Sequence, residues 1–145
     1  AGWDRDSGVG IVMADAALGV LTTLPPALDF YTVSPCRVVD TRQTGGALAC
    51  GTERALMMVG GTCGVPTGAK AVSLNVTVTQ PSATGNLRVW AASTPAPLAS
   101  NLNYAAGQTR ANNAIAPLST AGLIAVLCSP TGTAHVIVDV NGYFQ

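Results

Sequence analysis

The amino-acid sequence predicts an all-β protein, folded as an antiparallel β-sandwich or jelly roll of about eight short strands. Residues 70–79 and 134–144 alternate apolar and polar side chains, a period of two that fits a half-buried strand and no helix. Turn-forming residues separate the apolar stretches at short intervals. No helical pattern alternates with these stretches, so the sequence disfavours a parallel sheet with crossover helices.

The predicted strands follow one another with a turn between each pair. The clearest is 71–79, where Val72, Leu74, Val76 and Val78 share one face and hydroxyls and amides share the other. Glycine and proline mark the turns at 44–46, 60–61, 66–68, 81–85, 106–107, 120–122 and 130–132. The strands between them are 36–41, 54–59, 71–79, 86–91, 100–104, 112–117, 123–128 and 135–143.

Residues 1–24 differ from the remainder and are predicted to lie outside the sandwich. This segment is apolar from Val9 onwards and is either a helix or a strand that is donated to a neighbouring subunit. Pro25 and Pro26 end any helix, so residues 25–29 form a linker to the β-module at 30–145. The candidate intersubunit residues are Val9, Ile11, Val12, Leu18, Val20 and Leu21.

Composition excludes several classes of function. Of the 145 residues, 10% are charged, against about 25% in a typical soluble domain, and the formal net charge is zero. The chain therefore has no basic stripe of the kind that binds nucleic acid. No apolar run reaches the roughly 20 residues that a membrane-spanning helix needs, whereas the low charge favours self-association.

The four cysteines predict two disulfides and hence an oxidising compartment, outside the cell or at its surface. Their spacing does not fit a zinc site, since the chain has one histidine and no closely spaced cysteine pair. Three pairings are open, and we favour Cys36–Cys63 with Cys50–Cys128.

The polar side chains have a structural and a binding interpretation. In the structural one, which we prefer, Asp40 pairs with an arginine in a buried network that fixes strand register. In the other, residues 40–42 and 109–113 line a sugar-binding groove. Separately, Trp90 and Tyr104 are candidates for a platform on which a glycan stacks. Asn75 begins a glycosylation sequon on the polar face of its strand. The network residues are Asp40, Arg42, Arg110, Asn113, Asp139 and Asn141.

The sequence does not predict catalysis, a cofactor or a metal. His135 has Asp139 on the same strand face, but no nucleophile motif accompanies them. Asp139 and Asn141 begin like a calcium loop, yet the chain lacks the further acidic ligands such a loop requires. We expect both residues to hydrogen-bond a neighbouring turn instead.

Four sequence blocks resemble a β-sandwich module of bacterial secreted and surface proteins. They are SPCRVVDTR at 34–42, GGTCGVPTGAKAVSLNVTVT at 60–79, SNLNYAAGQTRANNAIAPL at 100–118 and GTAHVIVDVNGYF at 132–144. In that family the module is appended to enzymes or repeated in large exported proteins. The resemblance implies a sandwich fold and an extracellular location, and it assigns no catalytic role.

Residues 4–18, DRDSGVGIVMADAAL, resemble the C-terminal end of a subtilisin-like serine protease domain. The catalytic motifs of that family lie upstream of this segment and do not occur here, so the resemblance implies ancestry and not activity.

Two functions follow as hypotheses. The first is a non-catalytic structural subunit of an extracellular filament or surface assembly, whose copies join head-to-tail through residues 1–24. The second is a carbohydrate-binding or adhesion module appended to a secreted subtilisin-like protease, with glycans as its partner. Both place the protein outside the cell.

Overall fold

A computed structural model describes residues 27–145, which form nine β-strands and no helix. None of these residues therefore forms a helix that could cross a membrane. The strands are β1 (Phe30–Asp40), β2 (Leu48–Ala49), β3 (Arg54–Met57), β4 (Ala71–Thr79), β5 (Gly85–Ala91), β6 (Leu102–Tyr104), β7 (Arg110–Pro117), β8 (Leu123–Ser129) and β9 (Thr133–Phe144).

The strands form two antiparallel sheets, which confirms the predicted all-β sandwich. The first sheet has the order β1-β9-β4-β7, and β2 pairs with the start of β9. The second sheet has the order β3-β8-β5-β6. In the first sheet β1 and β7 lie at opposite edges, and the central pair β9 and β4 joins residues that are far apart in the chain.

The core lies between the two sheets. The four alternating apolar residues of β4 are fully buried, as the period of two predicts. Because sheets pack face to face, the inward residues of β9 and β4 meet those of β5 and β8 from the other sheet. The largest of the fully buried side chains are Leu48, Leu74, Leu87, Ile124, Val72, Val76, Val78, Val126, Val136, Val138 and Val140.

Two strands differ most from the predicted set, because their patterns are irregular or too short. The strand expected at 36–41 begins at Phe30, and the pairing of β1 with β9 shifts between Thr32 and Cys36 and again between Arg37 and Val39. Each shift breaks the period of two. The two-residue β2 is too short to show a period at all.

The chain enters the module at an exposed edge. Residues 27–30 are exposed, and Asp29 exchanges two backbone hydrogen bonds with Gln145, at 2.9 and 3.1 Å. The start of β1 therefore lies beside the end of β9. Residues 1–26, with the six candidate intersubunit residues and the two prolines of the linker, lie outside the described residues.

Candidate functional site

Two disulfides brace the sandwich, Cys36–Cys63 and Cys50–Cys128. These are the pairs that the sequence analysis favoured. The first joins the edge strand β1 to the loop between β3 and β4, which runs from the second sheet to the first. The second disulfide joins the turn after β2 to β8 and connects the two sheets at an end. Two disulfides indicate an oxidising environment.

Asp40 receives most of the hydrogen bonds at the end of β1. Its carboxylate accepts from Arg42 Nε at 2.9 Å, Arg42 Nη2 at 2.6 Å and the Arg42 backbone N–H at 3.1 Å. These bonds lower the pKa of Asp40 from 3.8 to about 2, the largest contribution coming from the Arg42 side chain. The predicted pair is thus present, although only the carboxylate is buried: the side chain of Arg42 is 39% exposed.

Arg37 connects Asp40 to β9. Arg37 Nε donates to Asp139 Oδ1 at 2.7 Å and Nη2 donates to Oδ2 at 3.1 Å, while Nη1 lies 3.6 Å from Asp40. The expectation that Asp139 and Asn141 bind a turn was wrong. Asp139 binds the neighbouring strand, and Asn141 falls at a bulge between β9 and β4, where its side chain is exposed.

The predicted network of six residues is divided in the structure. Asp40, Arg42 and Asp139 belong to one chain of charges, joined by Arg37, which the sequence analysis missed. Arg110 and Asn113 lie on β7, exposed, and their side chains have no hydrogen-bond partner among residues 27–145. Alternation along β1 would place Arg37 and Asp40 on opposite faces, and the register shift between Arg37 and Val39 brings them to the same one, so the sequence carried no signal for this contact.

A polar row crosses the outer face of the first sheet. The strand registers place Arg37 opposite Asp139, Asp139 opposite Asn75, and Asn75 opposite Asn113. Asn75, the sequon asparagine, is half-buried in this row, and its Nδ2 lies 3.4 Å from Thr77 Oγ1. The side chains of the row are two amides and one ion pair, so the row carries no net charge.

A polar cleft of about 310 Å³ separates the edge strands β6 and β7. Arg110 points its guanidinium group into solvent here, while Asn112 Nδ2 donates to the Asn101 carbonyl at 2.7 Å and links the two sheets. The lining residues are Asn101, Leu102, Asn103, Arg110, Ala111 and Asn112.

Neither proposed stacking aromatic is available to a ligand. Trp90 is 5% exposed, and its Nε1 donates to the Thr94 carbonyl at 2.9 Å, beneath the proline-containing loop that follows β5. Tyr104 is 4% exposed, and burial raises the pKa of its hydroxyl. An aromatic platform built from these residues is therefore ruled out by their packing.

His135 has a structural partner. Its Nδ1 lies 3.1 Å from Thr41 Oγ1, and the buried Thr41 hydroxyl also accepts the Val136 backbone N–H at 2.8 Å. Asp139, which the alternation of the strand places on the same face as His135, accepts a hydrogen bond from Arg37 instead. Within residues 27–145, no group of three histidine, cysteine or acidic side chains is placed to hold a metal ion.

The edge strand β1 is protected against pairing with another chain. Pro35 removes one backbone donor, and the two register shifts make the edge irregular. Arg37 and Asp40 add charge at its end. Proteins commonly protect exposed edges with proline, bulges and charges of this kind.

The opposite edge strand β7 lacks these features between its ends, because its charge and its proline are its first and last residues, Arg110 and Pro117. It pairs with β4 from Pro117 to Arg110 without a register shift, and the six residues between those two are alanine, asparagine and isoleucine. Ile115 is 66% exposed. The edge strands of the second sheet, β3 and β6, have only four and three residues. Among the described strands, β7 is thus the long and regular edge, with its charge confined to its first residue.

The chain matches no protein-family model and no curated protein sequence.

Proposed function

We propose that the protein is a non-catalytic structural subunit of an extracellular filament or surface assembly, whose copies join head-to-tail through the N-terminal segment. The observation that carries this proposal is the entry of the chain at the surface. Residues 27–30 are exposed, and among the described residues the inward side chains of the two sheets form one hydrophobic core. A chain that enters the module at its surface suits a connection to a neighbouring copy.

The character of the module supports the same role. The two disulfides cross-link the module at separate positions, which suits a durable extracellular part. The outer face of the first sheet presents amides, hydroxyls and one compensated ion pair, so two copies approach each other with little electrostatic repulsion.

Electron microscopy of the full chain at moderate concentration tests the proposal, and we expect regular fibres. A variant that lacks residues 1–24 should remain folded, with an unchanged far-ultraviolet circular dichroism spectrum, and should stay monomeric in sedimentation. Fibres that persist after the deletion would exclude the segment as connector. Dispersed particles of the full chain at every concentration would exclude the filament.

The cleft between β6 and β7 supports a second candidate, a carbohydrate-binding or adhesion module appended to a secreted subtilisin-like protease. The exposed Arg110 and the amides of Asn101 and Asn103 present donors and acceptors that suit sugar hydroxyls. A polysaccharide screen should then give binding that Arg110→Ala weakens at least tenfold. The matched control is Arg42→Ala, which removes an arginine elsewhere on the surface. Equal binding by both variants would exclude the cleft.

We further propose that Asn75 carries a glycan in the mature protein. Its side chain lies on the outer face of β4 and belongs to the sequon that ends at Thr77. Intact-mass spectrometry of protein isolated from its source should show an added mass that Asn75→Gln removes. The unmodified polypeptide mass would exclude the glycan.

A further inference from the structure

The backbone of β7 is unpaired along its outer side. Leu118 N–H donates to the Lys70 carbonyl at 2.8 Å, so Leu118 and Lys70 are a hydrogen-bonded pair of the ladder between β7 and β4. Because such pairs alternate along an antiparallel ladder, Ala111, Asn113 and Ile115 direct their N–H and C=O groups away from β4. In the described part of the chain, these three amides have no hydrogen-bond partner.

The charges of the chain are divided between the N-terminal segment and the module. Residues 1–26 contain three acidic side chains, Asp4, Asp6 and Asp15, and one basic side chain, Arg5, so their formal charge is −2. Since the whole chain is neutral, residues 27–145 carry +2. Arg110, at the first position of β7, has no ion-pair partner in residues 27–145. The segment and the β7 edge are therefore complementary in charge.

We infer that the β7 edge is the acceptor site for the N-terminal segment of a second copy of this chain. That segment adds to the first sheet as a further strand beside β7. The inference rests on the proposed function and names the surface on which it depends. Strand addition supplies hydrogen-bond partners to the amides of Ala111, Asn113 and Ile115. Val9, Ile11 and Val12 are β-branched, as strand residues commonly are.

The spacing of charge and apolar residues defines the direction of the added strand. Asp6 precedes Ile11 by five residues, and Arg110 precedes the exposed Ile115 by the same number. A strand that runs parallel to β7 therefore places Asp6 beside Arg110 and Ile11 beside Ile115 in one register. An antiparallel strand matches only one of the two pairs at a time.

The sheet order makes the contact one that propagates between copies. The segment leaves the module at β1, and β7 lies at the other edge of the same sheet, beyond β9 and β4. Each copy thus presents a connector at one edge and an acceptor at the other. Such a heterologous contact continues from copy to copy and produces a fibre.

Replacement of Asn113 by proline in the full chain tests the acceptor site. Asn113→Pro removes one outward N–H and leaves the bonds from β7 to β4 in place, because proline is tolerated on the outer side of an edge strand. The matched control, Asn113→Ala, keeps the N–H and removes the side chain. We expect the control to form fibres and the proline variant to remain monomeric, with both melting within a few degrees of the parent.

The outcomes separate this inference from the proposed function. If Asn113→Pro is folded and forms fibres as the parent does, β7 is not the acceptor, although the filament stands. If the proline variant does not fold, Ile115→Asp in the same chain replaces it, with Met57→Asp, another exposed apolar residue on an edge strand, as control. Fibre loss confined to Ile115→Asp supports the site, and equal fibre formation by the two overturns it.

A charge exchange tests the direction. Arg110→Asp should raise the concentration needed for assembly at least tenfold, and Asp6→Arg in the same chain should restore at least half of that loss. If Asn113→Pro prevents assembly but Asp6→Arg does not restore the assembly lost in Arg110→Asp, the parallel register is wrong.

Discussion

The Asp40 carboxylate fixes the end of β1 to the turn that follows it. Its pKa of about 2 lies below the ordinary value of 3.8, chiefly because of the hydrogen bonds from Arg42. A carboxylate whose pKa is depressed by folding stabilises the folded state above the unfolded pKa and loses that contribution as pH falls through the folded pKa. The affected range therefore extends from about pH 4 down to about pH 2.

We predict that Asp40→Asn reduces stability at neutral pH and flattens the acid limb of the stability curve between pH 4 and pH 2. Urea unfolding at a series of pH values measures both effects. Glu53→Gln is the matched control, since it removes an exposed carboxylate that has no ion pair in the described residues. Identical acid limbs for Asp40→Asn and the parent would contradict the role of this ion pair.

Gly142 lets the start of β1 pack closely on β9. A Cβ atom at this position would meet the ring of Phe30 and lie 2.8 Å from the Tyr31 carbonyl oxygen. We predict that Gly142→Ala destabilises the fold by about 1–3 kcal/mol, because the backbone of β1 must shift. Gly61→Ala, where a Cβ meets no atom within 4 Å, should change the unfolding free energy by less than about 0.5 kcal/mol. Equal melting temperatures would contradict the close approach.

At the scale of the strand, the two disulfides differ in the length of chain they close. Cys50–Cys128 spans 78 residues and Cys36–Cys63 spans 27. In the chain-entropy model, the longer loop gives the larger restriction of the unfolded state, by about 1 kcal/mol. Replacing both cysteines of a bridge by alanine should therefore lower the unfolding free energy more for Cys50–Cys128. A larger loss for Cys36–Cys63 would show that local packing outweighs loop closure.

Strands with a regular alternation were predictable, and irregular ones were predicted in part. Both ends of β4 were predicted correctly, because its apolar side chains alternate without a break. The first six residues of β1 were missed because Pro35 and the register shift between Thr32 and Cys36 interrupt the period there. β7 was expected to start at Asn112 and starts at Arg110, since its pairing depends on the backbone of β4 and not on its own pattern.

The candidate site was less predictable than the strands. The partner of Asp139 is Arg37, 102 residues away, and strand order alone brings them together. The sequence likewise did not show that β7 is an edge strand open to pairing with another chain, because only the order of strands in the sheet identifies its edges. The burial of Trp90 depends on the loop after β5, which carries no periodic signal.

For the whole molecule, the division of charge between segment and module predicts a salt effect on assembly. Raising the ionic strength from about 0.1 M to about 1 M shortens the screening length from about 10 Å to about 3 Å. The concentration at which fibres form should rise accordingly, as measured by light scattering. The Arg110→Asp variant should respond less. A parent chain that assembles at the same or a lower concentration in high salt would contradict the electrostatic contribution.

The bridge between Cys36 and Cys63 has a mechanical consequence for a subunit that is pulled from its N-terminus. Tension applied at Phe30 acts on the first strand at an edge, where backbone bonds open one after another as the strand peels from β9. Peeling reaches Cys36, where the covalent bond to Cys63 passes the load to the loop between β3 and β4. In a filament of the kind proposed, the six residues of β1 that precede this bond would be drawn out first, and the disulfide would then carry the load.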